Sequence, residues 1–350
     1  MSDSVTTIIP TYRRPQRLRR AILSALSQTH ADVQVCVYDN ASGDDTAAVV
    51  AQLAAGDRRL SYYCHERHVD VVQNFLFGMQ RVATPYFSFL SDDDVLFPTF
   101  YASAIAKLDA EPAALFAAGS AIEFDEAGTV RYAPLAFWDR EGTFTPPEGF
   151  LAMLQNRHPT WTAVLFRKEA LEQAGTLDAE MGGPVDLDYE LSIAARFPYV
   201  TFFEPSAAYV HHGDRVSSVE DASVIASYQR MADKLSADVR IDDSLRAQLP
   251  RLLERQMRSK LYEIAFKSVV AGKDENALAA AALLRSKFRR PLVAACIETT
   301  ARSSARIGGL RQALADLEHW RLRRRSAQTR RRLLATVGSD GSAYARFLQR

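Results

Sequence analysis

Strand-like and helix-like segments alternate through the first half of the chain, and this alternation constrains the fold more than any other feature. Four short runs are rich in β-branched and aromatic residues, and they cover residues 5–9, 33–38, 60–64 and 86–90. Between them, apolar residues recur at helical spacing, which predicts helices over 14–28, from Asp44 or Asp45 to 53, and over 72–82. The order is typical of a mostly parallel α/β sheet with flanking helices, whose ligands bind outside the strands' carboxyl ends.

The pattern changes twice further along the chain. Residues 111–205 alternate less regularly, and they predict a hairpin over 122–132, a helix over 188–196 and a last strand over 199–203. After about Val219 the strand pattern ends, and apolar residues recur at helical spacing over residues 249–264 and 277–284, which predicts two helices there. We therefore predict an α/β domain over residues 1–218 and a smaller α-helical region over residues 219–350.

Composition excludes several classes of protein. The 350 residues carry a formal net charge of +1, so no overall field favours nucleic acid as a partner. The three cysteines, Cys36, Cys64 and Cys296, are scattered, which favours reduced thiols over a disulfide framework. No leader-like or membrane-spanning apolar stretch is present in the sequence. We expect a cytoplasmic protein, with any membrane contact being peripheral and at the inner face.

Three adjacent carboxylates follow the fourth apolar run directly: Asp92, Asp93 and Asp94. Like charges this close repel one another, so gathering them is costly unless a cation offsets their charge. Magnesium and manganese take one or two protein carboxylates and complete their shells with water and diphosphate oxygens. The triplet therefore indicates a site for Mn²⁺ or Mg²⁺. The alternative is a solvated turn that caps the next helix near Pro98.

Polar residues also follow the first two apolar runs. Thr11, Tyr12 and Arg13 come after the first run, and Asp39 ends the second. If the two strands are neighbours, these side chains meet at one sheet edge, where Tyr12 can stack on a nucleobase and Asp39 can accept a hydrogen bond from an imide N–H. Uracil or thymine suits such a carboxylate. The alternative is that all four are ordinary loop and turn residues.

A carboxylate-rich segment opens the helix predicted over 188–196. Asp186 and Asp188 lie at its start, where the positive end of the helix dipole keeps a carboxylate ionised, as a general base requires. Asp188 is the candidate base and Asp186 the nearest alternative, while Glu190 is expected to face elsewhere. Helix capping alone accounts for the same residue types at these positions.

In their order along the chain, these motifs resemble the family-2 glycosyltransferases with the GT-A fold. The resemblance covers about residues 6–218, and it is carried by Ile8-Ile9-Pro10-Thr11-Tyr12-Arg13-Arg14, Gln28-Thr29, Val37-Tyr38-Asp39-Asn40-Ala41-Ser42, Asp44-Asp45-Thr46 and Phe89-Leu90-Ser91-Asp92-Asp93-Asp94. It implies a Rossmann-like GT-A sheet, a nucleotide-sugar donor, a divalent metal held by the acidic turn, and inversion at the anomeric carbon.

The resemblance also implies roles for the donor-side residues. By match to the family's motifs, Thr11, Tyr12 and Asp39 would hold the base, with Arg13 among the nucleotide-binding residues. Asp92 would lie near the ribose. The expected donor is therefore a UDP- or dTDP-sugar.

Metal, base and acceptor roles follow from the same match. Asp93 would lead metal binding with Asp94 beside it, and His212, the second histidine of a His-His pair, would lie close to the metal and the diphosphate. Asp188 would deprotonate the acceptor hydroxyl. Trp161 falls where acceptor-binding loops usually lie and can stack on a sugar face, although a packed core or rim tryptophan is an equal alternative.

Two segments depart from the family's pattern. Ser91 stands where the family commonly has an aspartate, which leaves open whether Asp93 or Asp94 takes the metal. His68-Val69-Asp70 replaces the Asn-x-Gly segment that often precedes the asparagine matched here by Asn74.

The C-terminal region contains a basic segment. Residues 319–332 hold seven arginines interleaved with Trp320 and Leu322. Such a helix can lie on an anionic membrane and bring the site to a lipid-linked acceptor, or it can be a solvated face or a contact in a homo-oligomer.

The expected function is inverting, metal-dependent sugar transfer to a saccharide, lipid-linked or other hydroxyl acceptor, in bacterial polysaccharide or glycolipid assembly. A metal-dependent nucleotidyltransferase is an alternative, which the absence of a glycine-rich phosphate loop disfavours. A non-catalytic scaffold on the same fold is the second alternative, and it leaves the combination of Asp39, the acidic triplet and Asp188 unexplained.

Overall fold

The computed structural model describes residues 3–124, 130–133, 138–155, 158–210, 221–304, 307 and 309–317. Within these ranges the chain divides into two compact units, one formed by residues 3–179 and 185–210 and the other by 180–184 and 221–317. The boundary predicted at residue 218 lies outside the described residues and stays a prediction.

The strands of the first unit belong to one sheet. Their bounds are β1 Val5–Thr11, β2 Val33–Asp39, β3 Leu60–Cys64, β4 Tyr86–Phe89, β5 Val95–Leu96, β6 Phe116–Phe124, β7 Val130–Tyr132, β8 Gly142–Phe144, β9 Val164–Arg167 and β10 Tyr199–Val210.

Seven helices of the first unit accompany this sheet in the described residues: α1 Pro15–Leu26, α2 Thr46–Ala54, α3 Val71–Met79, α4 Phe100–Ala110, α5 Glu148–Gln155, α6 Glu169–Gln173 and α7 Val185–Ala194. The second unit contains α8 Val224–Ala237, α9 Asp243–Val270, α10 Asp274–Ser286 and α11 Pro291–Ser304. The two helices predicted from apolar spacing in this region correspond to α9 and α10.

The sheet is parallel where the sequence predicted it and mixed beyond. The strand order is β3-β2-β1-β4-β9-β6-β10-β5, with β7 beside β6 and β8 also beside β10. The neighbours β3, β2, β1 and β4 run parallel, and so do β6 and β10. Strand β9 is antiparallel to β4 and β6 on either side of it. The carboxyl ends of β1, β2 and β4 therefore share one edge.

Strand β1 continues through Pro10 to Thr11, whereas the sequence predicted a strand that ends at Ile9 because of the proline. Its pairing with β4 ends at Ile8, whereas its pairing with β2 continues through Pro10 to Thr11. Pro10 thus lies where β1 has a strand neighbour on one side only, and there a residue without an N–H costs no ladder hydrogen bond.

Local sequence explains how the helices are placed around this edge. Pro15 occupies the first turn of α1, where its missing N–H has no partner to lose. Asp70 caps α3 by accepting a hydrogen bond from the backbone N of Val72 at 2.8 Å. A Cβ atom at Gly78 would lie 2.6 Å from Cγ2 of Ile8, so only glycine lets α3 lie this close to β1.

The second unit has its own apolar contacts. Asp242 caps α9 through the backbone N atoms of Ser244 and Leu245, and Val269, Ala277 and Ala301 form a small buried cluster. Among the described residues of both units, no helix combines the length and apolar content that a bilayer crossing requires.

Candidate functional site

The predicted donor-side residues converge at the carboxyl edge of the sheet. Thr11, the last residue of β1, pairs with Asp39, the last residue of β2. Thr11 Oγ1 also donates a 2.7 Å hydrogen bond to Asp92 Oδ2 in the acidic turn after β4. Three strand ends that are far apart in sequence therefore meet through direct contacts.

The acidic turn is buried, whereas the alternative considered from the sequence was a solvated turn. Asp92 and Asp93 are each 6% exposed, and Asp94 is 1% exposed. Thr162 Oγ1 donates a 2.6 Å hydrogen bond to Asp94 Oδ2. Burial, and after it the charge of Asp93, raises the pKa of Asp92 to about 6, while hydrogen bonds from Thr11 and Arg14 act in the opposite direction.

Two arginines from the α1 region, Arg14 and Arg20, lie against this turn, and no role was predicted for either of them. Arg14 Nη1 lies 3.2 Å from Asp92 Oδ1 and 3.1 Å from Asp93 Oδ2, so one guanidinium nitrogen bridges two carboxylates. Arg20 Nη2 donates to the backbone carbonyl of Asp93 at 3.1 Å. The sequence offered two signals, the basic character of residues 13–20 and the place of Arg14 at the end of the first family motif. Neither signal indicates which side chains these arginines contact.

The donor set of the acidic turn fits a hard cation whose shell is completed by a ligand. Among the described residues, no group of three or more His, Cys, Asp or Glu side chains is arranged to hold a metal ion. Magnesium needs only one or two carboxylates when phosphate oxygens and water supply the rest. The guanidinium of Arg14 lies against Asp92 and Asp93, so a positive group already offsets part of the charge of the turn.

Asp39 is held by hydrogen bonds on both of its oxygens. Oδ1 accepts from the Ser42 backbone N at 3.0 Å and from Ser42 Oγ at 2.6 Å, and Oδ2 accepts from the Tyr62 hydroxyl at 2.6 Å. Burial, followed by the bond to Asp39, raises the pKa of Tyr62, so its hydroxyl stays protonated and donates. A carboxylate offers about four acceptor positions. The described contacts of Asp39 therefore use three, and the remaining one is on Oδ2.

Tyr12 and Arg13 lie beside this carboxylate. The Tyr12 side chain is 38% exposed, and its ring centroid lies 4.4 Å from that of His68 at an interplanar angle of 50°. Arg13 adopts a positive φ of 55° and donates its backbone N–H to Ser42 Oγ at 2.8 Å. The Tyr12 ring is therefore partly accessible just beyond the end of β1. His68, which the sequence had placed only in a segment that departs from the family's pattern, contacts this ring.

The predicted base lies in the first turn of α7. Asp188 is 1% exposed. Asp186, the alternative base, accepts a hydrogen bond on Oδ1 from the backbone N of the next residue, Leu187, at 2.7 Å. Both carboxylates lie at the positive end of the helix dipole.

Glu190, which was expected to face elsewhere than Asp188, is buried beside a histidine. It is 1% exposed, and its Oε2 lies 3.6 Å from Nδ1 of His158. Burial raises the pKa of Glu190 to about 7 against the influence of His158. Partial burial lowers the pKa of His158, but the carboxylates of Asp186 and Glu190 outweigh it and raise that pKa to about 9. A protonated His158 therefore lies among the acidic residues of α7.

Trp161 is partly buried, and its ring packs against two other aromatic rings. Its ring is stacked on Phe75, with centroids 5.5 Å apart, and meets Phe89 edge-on at 4.3 Å. Stacking on an acceptor sugar, as predicted for Trp161, is therefore excluded on the face that Phe75 covers. His212, the predicted metal or diphosphate ligand, lies outside the described residues.

The segment from His158 to Thr162 joins the two halves of the site. His158 contacts Glu190 on α7, and Thr162 contacts Asp94 in the acidic turn. Both contacts lie within the first unit. A short stretch of chain thus connects the predicted base helix to the predicted metal turn.

Comparison with known proteins finds similar sequences among glycosyltransferases. The sequence model described as Glycosyl transferase family 2 matches residues 6–175. A GalNAc(5)-diNAcBac-PP-undecaprenol beta-1,3-glucosyltransferase of Campylobacter jejuni is 32% identical over 93 residues, which are 26% of this chain and 30% of that protein. Glycosyltransferase GlyA of Streptococcus pneumoniae is 24% identical over 133 residues, 38% of this chain and 19% of that protein. This chain thus spans less than a third of either relative.

Solved structures share the fold over most of the chain. Staphylococcus aureus TarS 1-349 in complex with UDP-GlcNAc superposes with a TM-score of 0.62 at 14% identity, covering 89% of this chain and 92% of that one. The mannosyltransferase PcManGT from Pyrobaculum calidifontis, in complex with GDP-Man and Mn²⁺, gives a TM-score of 0.51 at 16% identity, covering 95% and 87%. At these identities the likeness establishes the fold.

Proposed function

Because this chain belongs to glycosyl transferase family 2 and is a glycosyltransferase, we propose that it transfers a sugar, with inversion and with a divalent metal, from a UDP- or dTDP-sugar to an acceptor hydroxyl. The family and the GT-A fold class predicted from the sequence are confirmed. The observation that carries the proposal is the meeting of Thr11, Asp39 and the acidic turn at one sheet edge, with Thr11 bonded directly to Asp92.

The choice of base rests on Asp39. Its one remaining acceptor position on Oδ2 suits a single N–H donor, which the imide of uracil or thymine supplies at N3. Cytosine has a lone pair at that ring position. Tyr12, partly exposed beside Asp39, stacks on the base in this account, and Arg13 fixes the loop through Ser42. The UDP-GlcNAc bound to TarS is consistent with a uridine donor.

Asp93 and Asp94 are the proposed metal-holding residues, with Asp92 next to the ribose and His212 as a further contact of the metal and diphosphate. When bound, Mn²⁺ or Mg²⁺ supplies positive charge that stabilises the departing nucleoside diphosphate. The buried acidic turn supports this assignment, because adjacent carboxylates in a poorly solvated place favour a cation. The Mn²⁺ in PcManGT is consistent with it.

Asp188 acts as the general base in the proposed mechanism. It takes the proton from an acceptor hydroxyl placed behind the anomeric carbon, so that the hydroxyl oxygen attacks as the diphosphate leaves. A single displacement of this kind inverts the stereocentre. The helix dipole favours the ionised form that a base requires, and Asp186 remains the alternative.

We propose a saccharide or lipid-linked acceptor in bacterial polysaccharide or glycolipid assembly, at the cytoplasmic face of the membrane. The Campylobacter relative is named for an acceptor on undecaprenyl diphosphate, which is consistent with this class. Peripheral membrane contact or oligomer formation through the arginines of 319–332 stays a prediction, because that segment lies outside the described residues.

The test is slow donor hydrolysis followed by NMR. The protein is incubated with a panel of nucleotide sugars and Mn²⁺ at enzyme concentrations near that of the donor. The proposal predicts that a uridine or thymidine donor with an α-linked sugar gives the nucleoside diphosphate and, before mutarotation, the β-sugar. Nucleoside monophosphate with sugar 1-phosphate would instead identify nucleotidyl chemistry. No cleavage of any donor, together with no cleavage after adding lipid-linked and free saccharide acceptors, would leave the non-catalytic scaffold.

A further inference from the structure

The space between Asp92 and Asp93 is occupied by the guanidinium of Arg14. We propose that Arg14 competes with the divalent metal for the carboxylate of Asp93, so that metal binds strongly only together with the nucleoside diphosphate. The inference rests on the proposed metal site at Asp93 and goes beyond it, because it assigns a function to Arg14 and a thermodynamic coupling between metal and donor.

On the side of Asp93 that faces Asp92, the geometry leaves room for Arg14 or for a metal ion, but not for both. Arg14 Nη1 lies 3.1 Å from Asp93 Oδ2 and 3.2 Å from Asp92 Oδ1. A magnesium or manganese ion lies about 2 Å from a carboxylate oxygen that binds it. An ion on the side of Asp93 Oδ2 that faces Asp92 would overlap with the guanidinium nitrogen. Metal binding there therefore requires that Arg14 leave.

Arg14 is held where it is by the start of α1. It is the N-cap residue of that helix, and its carbonyl accepts the 2.9 Å hydrogen bond from the Leu18 N–H. Its side chain is 26% exposed, against 8% for each of the two aspartates. The backbone is therefore fixed while the guanidinium has access to solvent, so the side chain can change partner without disturbing the helix.

Displacement of the Arg14 guanidinium by a metal ion alone is unfavourable. The departing guanidinium loses two charged acceptors in a partly buried place, and this loss opposes the gain from the metal–carboxylate bonds. A diphosphate changes the balance because its oxygens bind the metal and also provide new acceptors for an arginine. Metal and nucleotide then strengthen each other's binding, and by linkage the effect is equal in both directions.

Arg20 is not expected to substitute for Arg14. Its described hydrogen bond to the turn is to the backbone carbonyl of Asp93, whereas Arg14 contacts the carboxylate oxygens of Asp92 and Asp93. Arg19 lies on the same helix and has no described hydrogen bond to the acidic turn, so Arg19→Gln is a matched control with the same loss of charge.

The experiment measures free Mn²⁺ by its electron paramagnetic resonance signal during titration, without UDP and with saturating UDP. The proteins are wild type, Arg14→Gln, Arg14→Lys, Arg19→Gln and Asp93→Asn, each checked for folding by circular dichroism. We expect Arg14→Gln to bind Mn²⁺ about 10-fold more tightly than wild type without UDP, which corresponds to about 1.4 kcal/mol. UDP should strengthen Mn²⁺ binding much less in Arg14→Gln than in wild type. Arg14→Lys, with one compact charge instead of a fork, should lie between the two.

Several outcomes would overturn the inference. Equal Mn²⁺ affinities of wild type and Arg14→Gln without UDP, with UDP strengthening both equally, would refute it while leaving the proposed metal site intact. An equal gain in Arg19→Gln would show that only net charge matters. If Arg14→Gln does not fold, Arg14→Lys decides the question by the same comparison. Absence of Mn²⁺ binding by wild type with UDP, or binding unaffected by Asp93→Asn, would refute the metal site as well, and this result is distinguishable from the first.

Discussion

Replacing Asp39 by asparagine changes a hydrogen-bond acceptor into a donor at the proposed contact with the imide N–H of the nucleobase. In the wild type, Ser42 and Tyr62 fill three of about four acceptor positions, and Oδ2 keeps one for the base. In Asp39→Asn, the amide oxygen can still accept from Ser42, but the NH₂ group then faces both the Tyr62 hydroxyl and the imide N–H. A hydrogen bond to a charged group contributes about 1.5–3 kcal/mol.

The expected loss in UDP affinity is therefore about 10- to 150-fold, since each factor of ten corresponds to about 1.4 kcal/mol. CDP should behave differently, because cytosine N3 can accept a hydrogen bond from the new amide. Isothermal titration calorimetry at one fixed Mn²⁺ concentration measures both nucleotides, and the ratio of UDP to CDP affinity should fall by at least about 10-fold.

Asp44→Asn is the matched control for this experiment. It removes the same charge from the same loop, where Asp44 accepts hydrogen bonds from Thr46 and does not contact Asp39. The control should leave both nucleotide affinities nearly unchanged. The reasoning is wrong if Asp39→Asn binds UDP as tightly as wild type, if UDP and CDP weaken equally, or if Asp44→Asn reproduces the shift.

Three further predictions concern the rest of the site. Thr162→Val should lower the free energy of unfolding in urea by about 1.5–3 kcal/mol, because it removes the buried donor to Asp94 Oδ2. The control Thr160→Val, whose hydroxyl makes no capping hydrogen bond, should change that free energy by less than about 0.5 kcal/mol, and equal effects of the two variants would contradict the contact between Thr162 and Asp94. Asp188→Asn should lower kcat for sugar transfer by about 10²- to 10⁴-fold, while its UDP affinity, measured by calorimetry, should stay unchanged. Full activity of this variant would show that Asp188 is not the base and would favour Asp186. Neighbouring carboxylates raise the pKa of His158 from 6.5 to about 9, so the stability that its charge contributes is fully present below pH 6.5 and is lost as pH rises through 9. The free energy of unfolding in urea should therefore fall over this pH range in wild type but not in His158→Gln. Parallel pH dependences of the two proteins would refute the role of this charge.

The parallel part of the fold and the location of the donor site followed from the sequence for the same physical reason. Each early apolar run ends at polar residues, and the carboxyl ends of neighbouring parallel strands share an edge, so Thr11 and Asp39 were expected to meet and do. Antiparallel β9 and the short strand β5 were not predictable as sheet partners, because their position depends on contacts with β4, β6 and β10 that no local pattern encodes.

The partners of the site carboxylates were beyond sequence reasoning. Tyr62 is 23 positions from Asp39, Thr162 is 68 from Asp94, and Arg14 is 78 from Asp92. Periodicity indicates which face of an element is buried, but not which side chain of another element reaches it. Trp161 illustrates the same limit, because a loop tryptophan has the same local sequence whether it meets a sugar or packs on Phe75.

The most direct test of the account is a thermal-shift panel of UDP, dTDP, CDP, GDP and ADP, each with and without Mn²⁺, on wild type and Asp93→Ala. A uridine or thymidine diphosphate at 100 times its Kd stabilises the folded state by about 2.7 kcal/mol. We expect a clear rise in Tm for one of these two nucleotides, a rise that requires Mn²⁺ and is lost in Asp93→Ala. If no nucleotide raises the Tm under either metal condition, the sheet edge formed by Thr11, Asp39 and the acidic turn is not a nucleotide-sugar site.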